Sequence, residues 1–210
     1  MKIFNSSFSK FALISILFIF FLIILIKNYS DHVFGNISNN FFRLHIVANS
    51  DSTEDQIIKY EIRDSILNYI SPKLKNSKSK EDALKIIQSN IPVFYDLSNK
   101  ILSKHDVNYS VNISVGNYNF PTKDYSNFIL PEGNYDALKI ELGNASGQNW
   151  WCVMFPSICI IDNSTFSTQD STNNILEDTL DSEGLSIISK DADSPDIKIK
   201  FKLIELFENL

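Results

Sequence analysis

Basic runs, clustered histidines and cysteines are what this chain has least of, and each shortage removes a class of function. No stretch of lysines or arginines occurs, and 19 Lys and Arg against 25 Asp and Glu leave a net charge of −6. A chain of that balance has no basic face of the kind that holds nucleic acid. The three histidines, His32, His45 and His105, do not fall at ligand spacing from one another or from a cysteine, so no histidine–cysteine metal site is indicated. Asp191-Ala-Asp193 lacks the glycine and the closing glutamate of a calcium loop. Neither metal nor cofactor is expected. Only two cysteines exist, Cys152 and Cys159, which puts all thiol chemistry in one short segment. No internal repeat is visible.

What remains is ordinary globular material. At 44% hydrophobic and 21% charged residues, 210 residues suffice for one domain with a real core. The charge is uneven: Asp162 to Asp196 carries nine acidic residues against Lys190 alone, a net of −8 that leaves about +2 for the rest. This Ser/Thr/Asn/Asp-rich stretch, 162–196, reads as an acidic mobile insertion.

Lys2 and Lys10 precede a run from Phe11 to Ile26 in which Ser15 is the sole polar residue. That is the order of a basic n-region and an apolar h-region. Sixteen residues rise about 24 Å, short of the ~30 Å hydrocarbon core, and no A-x-A cleavage site follows. Residues 1–34 are therefore an export signal or a membrane anchor. A buried core helix is the bland alternative, disfavoured by the absence of any polar face. With both lysines inside, residues 35–210 form a domain outside the cytoplasm.

Phe41 to Ala48 reads as a strand. Ser52, with Asp55 three residues on, caps a helix over Thr53 to Ile70 whose stripe is Ile58, Ile62, Ile66 and Ile70, and Pro72 closes it. Ser79 opens a second helix, which Pro92 kinks or restarts. Tyr109, Val111, Ile113 and Val115 alternate as a half-buried strand; Tyr135 to Leu142 is another, and Ile197 to Leu203 a terminal one, with a short helix at its end as the alternative. The expected class is α+β: a membrane-targeting helix, then a single domain with a mixed or antiparallel sheet and two to three helices.

Gly147-Gln-Asn-Trp-Trp-Cys-Val-Met-Phe-Pro156 concentrates both tryptophans and one cysteine. Adjacent residues of an extended segment face opposite ways, so one indole can lie under the sheet, its N–H taken by Gln148 or Asn149, while the other is presented as a contact hot spot. Export favours a Cys152–Cys159 disulfide closing a small loop; two buried thiols are the alternative. His45, Asn49 and Cys152 supply the residue types of a thiol hydrolase. Yet His45 sits mid-strand, where a hydrogen-bonded core histidine is the commoner outcome.

Three blocks in this order are Arg43-Leu-His-Ile-Val-Ala-Asn-Ser-Asp-Ser52, Phe120-Pro-Thr-Lys-Asp-Tyr125, and Pro131-Glu-Gly-Asn-Tyr-Asp-Ala-Leu138 leading to Gly147–Pro156. Together, after a membrane-targeting segment, they resemble stage II sporulation protein R of endospore-forming Firmicutes. The resemblance covers residues 41 to 160 well, and Lys123 stands where many relatives carry arginine. It implies a non-enzymatic signal made in the forespore and exported to the space between the septal membranes. There it triggers a membrane-embedded aspartic protease, the protein partner, which processes the early mother-cell pro-sigma factor. The residues expected to meet that partner are His45, Asn49, Asp51, Tyr125, Gln148, Asn149, Trp150 and Trp151. The competing classes are the thiol hydrolase and an envelope-binding structural module.

Overall fold

The computed structural model describes residues 6–125, 128–159, 169–189 and 202, and in it the apolar run is the middle of one continuous helix, α1 (Ser6–Asn40). Its 35 residues make a rod of about 52 Å. The most apolar window has a mean hydropathy of 2.8 and no buried residue, and the helix is long and apolar enough to cross a membrane. The bulky side chains from Phe11 to Leu25 all stand open, so this half is not a core helix. The other end is one: Ser30, Val33, Phe34 and Ile37 are buried, Tyr29 donates to Glu183 at 2.6 Å, and Asn36 Nδ2 donates to Asp181 at 3.0 Å. The boundary expected at residue 34 falls inside an unbroken helix.

β1 (Phe42–Val47) follows and runs to α2 (Thr53–Leu74). Ser52 caps α2, its Oγ accepting the Asp55 N–H at 3.2 Å, and the isoleucine stripe 58, 62, 66 and 70 is fully buried. Pro72 does not close the helix, which continues to Leu74. Proline there removes one hydrogen bond close to the end, and burial of Leu74 offsets it. α3 (Lys80–Ser89) starts at Ser79, and α4 (Ile91–Lys104) is a new helix with Pro92 in its first turn, where the missing N–H costs nothing.

The strands β2 (Val111–Phe120), β5 (Gly133–Leu142) and β6 (Asn149–Phe155) join β1 in a sheet of order β2-β5-β1-β6. β1 and β5 are parallel and the other pairs antiparallel, so the sheet is mixed. β3 (Lys123–Tyr125) and β4 (Phe128–Leu130) make a separate hairpin. Helices α2 to α4 cover one sheet face through Leu44, Ile46, Leu138, Ile140 and their partners. The end of α1, the β3–β4 hairpin and two short helices, α5 (Gln169–Thr179) and α6 (Ser182–Ile188), pack on the other. The class is α+β, as expected.

The reading of 162–196 as a mobile insertion is corrected over α5 and α6. Leu176, Leu180, Ile187 and Ile188 are buried with Val33, Ile37 and Phe128 of α1 and β4, while Glu177 and Asp178 face solvent. Asp181 caps α6 by accepting the Gly184 N–H at 2.7 Å. A few apolar side chains at helical spacing outweigh an acidic composition once a greasy helix is present to receive them. The remainder of that stretch, Asp191 and Asp193 included, lies outside the described residues, as does the strand expected at 197–203 except for Lys202, which is helical.

Candidate functional site

Pairing of β1 with β6 sets His45 opposite Trp151 and Leu44 opposite Cys152. Period-two alternation then divides the Gly147–Pro156 block between the two faces. Trp150, Cys152 and Met154 join the helical side; Trp151 and Val153 join the side that carries Arg43 and His45. On that second face the sheet is only half covered. Arg43, Phe120, Tyr135 and Val153 lie under the end of α1 and the hairpin, whereas Tyr118, Lys139, Glu141, His45 and Trp151 remain partly exposed.

The exposed half is an aromatic and cationic surface. His45 stacks on Trp151 with ring centroids 5.6 Å apart and planes 20° apart, and its other neighbour, Phe120, is at 5.8 Å. Nε2 of His45 lies 2.6 Å from Asn149 Oδ1 and donates to it. Burial pushes the His45 pKa below its ordinary value, and the nearby Lys139 and Arg43 charges push the same way, against the Asn149 hydrogen bond. Lys123, from β3, sets its ammonium 4.2 Å above the Trp151 ring. Lys139 is bound to Glu141 at 2.6 Å, which holds the Glu141 carboxyl below the usual carboxylate range.

Beneath this surface lies Arg43, fully buried. Its guanidinium is 4.0 Å above Phe120 and 4.7 Å from Tyr135, and Nη2 donates to the Tyr125 hydroxyl at 2.7 Å. Nε and Nη1 have no hydrogen-bond partner among the described residues. Tyr125 is thus drawn into the site as a clamp on Arg43, stacked on Phe128 at 5.0 Å.

The other expected contact residues hold loops together. Asn49 Nδ2 donates to Asp55 at 2.9 Å while its Oδ1 accepts the Asn144 N–H. Asp51 Oδ1 accepts the Gln148 N–H at 2.7 Å, and the buried Lys59 ammonium donates to the Gln148 carbonyl at 3.1 Å. Asp55 collects Asn49, Ser50 and Tyr109. Burial alone would raise its pKa; these hydrogen bonds overcome that and hold it low. Trp150 lies under Arg63, 4.2 Å away, and against Tyr60, and its indole N–H finds neither Gln148 nor Asn149. So His45, Asn149, Trp151 and Tyr125 converge on the half-open face, and Asn49, Asp51, Gln148 and Trp150 do not.

Nor does the thiol-hydrolase set assemble. Cys152 is disulfide-bonded to Cys159, with Cα atoms 5.5 Å apart, and points to the helical face, opposite to His45; Asn49 is engaged with Asp55. Among the described residues no three histidine, cysteine, aspartate or glutamate side chains form a metal cluster.

The family model described as stage II sporulation protein R matches residues 38–165, which enclose the six strands of the described residues, α2 to α4 and both cysteines. The chain belongs to that family. The curated stage II sporulation protein R of Bacillus subtilis (strain 168) is 34% identical over 185 residues, covering 83% of each chain. No solved structure matches. The family is named for a step in spore formation, and the chain is a sporulation protein of that kind.

Sequence reasoning named Asp55 only as the partner of the Ser52 cap, and did not single out Arg43, Lys139 or Glu141 as site residues. The alternation of β1 signals Arg43, since a residue two before His45 shares its face. Nothing local signals Lys139 or Glu141, which come from a strand ninety residues away that pairs in parallel.

Proposed function

We propose that the domain is a non-enzymatic signal, exported from the forespore into the septal intermembrane space. There it engages the extracytoplasmic part of a membrane-embedded aspartic protease, so that the early mother-cell pro-sigma factor is processed. One observation carries this reading: on a domain joined without a break to a membrane-length helix, the family-specific block builds an outward aromatic–cationic surface rather than a nucleophile with its base. Tryptophan flanked by cations is typical of protein contact sites. Family membership adds the developmental setting.

Co-expression of the full chain with the protease and its pro-sigma substrate in a non-sporulating host tests it. The expected result is shortening of the pro-sigma factor only when the chain is present. Normal processing in sporulating cells that lack the protein would overturn it.

A further inference from the structure

Among the described residues, the half-open face carries two cations, Lys123 and Arg43, that form no ion pair. Lys139, the other lysine of this face, has a carboxylate, Glu141 at 2.6 Å. Lys123 is only half exposed and has none among the described residues; the Trp151 ring is what it touches. Below it, Arg43 has no carboxylate among the described residues either, and two of its three guanidinium nitrogens find no hydrogen-bond partner there. An uncompensated buried charge is costly to keep and projects its field through a low-dielectric interior. Glu141 is already taken by Lys139 and Asn112. In a chain of net −6 this is a positive patch against the general charge.

We propose that this patch is the docking site for an acidic peptide segment of the protein partner, with a carboxylate of that segment seated on Lys123 and its neighbouring side chain on the Trp151–His45 stack. The proposal rests on the function proposed above and adds the chemistry of the contact. Its shape argues for a peptide rather than a phosphate track: one accessible lysine beside a flat aromatic pair gives a single anchored charge and apolar area, the mixture that forms interface centres. The cation over the indole is pre-positioned, so little side-chain entropy is lost when the carboxylate arrives. Arg43 acts from beneath as a positioning charge, holding Tyr125 and raising the local potential.

In the co-expression host, using the full chain and normalising to the amount in the membrane fraction, Lys123→Glu should cut processing by about tenfold or more, since it sets like charges together across the contact. Lys123→Arg should stay within about twofold, because the charge is retained. Trp151→Ala should fall as Lys123→Glu does, and Lys100→Glu, on the exposed side of α4, should match the parent chain. Capture of the protease by the detergent-solubilised full chain should weaken several-fold from about 0.1 M to about 0.5 M salt. That measurement decides the matter if Lys123→Glu fails to accumulate. Silence of the parent chain would sink the proposed function itself. A responsive parent with an equally active Lys123→Glu, or capture indifferent to salt, would leave that function standing and overturn the acidic docking site. So would a Lys123→Glu chain that loses only its binding to anionic phospholipid vesicles.

Discussion

Replacing Asp55 by alanine removes the acceptor at which three parts of the chain meet. Its carboxylate takes hydrogen bonds from Asn49 at 2.9 Å, Ser50 at 2.5 Å and Tyr109 at 3.1 Å, joining the end of β1, the start of α2 and the approach to β2. Hydrogen bonds to a charged acceptor are worth about 1.5–3 kcal/mol each, and they are not additive. Removing the carboxylate also relieves the cost of burying it, so we expect a net loss of about 3 kcal/mol at neutral pH. For a chain of this size that is a fall in Tm of roughly 6–12 °C, read by circular dichroism of the full chain in detergent. The pH dependence has a definite sign. The folded pKa of Asp55 lies below its unfolded value, so its contribution is full above the unfolded value near ~3.9 and is lost as pH falls through the folded one. The gap between parent and variant should therefore be constant from neutral pH to about 5 and narrow below about 4. A variant within about 0.5 kcal/mol of the parent at pH 7 would refute the assignment of Asp55 as the structural hub of the Asn49–Ser52 loop.

Other outcomes follow from the same geometry. The His45 imidazole should titrate below its ordinary 6.5, and Asn149→Ala should lower it further by removing the hydrogen bond that favours the protonated ring; an NMR titration reads both. Stability should accordingly decline as pH falls through the unfolded value of histidine, and His45→Gln should flatten that slope. Gly147→Ala should destabilise by about 2 kcal/mol or more, because a Cβ there overlaps the Ser50 carbonyl, a backbone atom that cannot swing away. Arg43→Met should melt at or above the parent temperature, since an unpaired buried charge is exchanged for an apolar side chain of similar length. Serine at both Cys152 and Cys159 should cost about 2.5 kcal/mol in denaturant unfolding, the chain entropy of so short a loop.

Much of the fold was legible one element at a time. The isoleucine spacing of α2, the Ser52 and Ser79 caps and the alternation of β2 are local patterns, set by neighbours within a few residues. Pro72 and the 169–188 stretch misled for the converse reason. Whether a helix tolerates a proline near its end, or an acidic segment folds, depends on a surface supplied from elsewhere: the burial of Leu74 in one case, and α1 beneath Leu176 and Ile187 in the other. The site shows the same division. Opposite facing of Trp150 and Trp151 follows from strand geometry alone, but which cation lies over each indole depends on α2 and β3.

By itself, the sequence determined the α+β class, the apolar N-terminal helix, the positions of the main strands and, through the Gly147–Pro156 block, the family. Those properties rest on composition, periodicity and residue identity, which need no long-range contact. Tertiary structure alone decided that Cys152 and His45 stand on opposite faces of one sheet, that Asn49 and Asp51 tie loops away from the half-open face, and that Arg43 lies buried beneath Lys123 and Trp151. Each of these turns on strand order and register. Parallel pairing of β1 with β5, and the seating of β6 at the free side of β1, bring together residues a hundred positions apart that no local pattern could place.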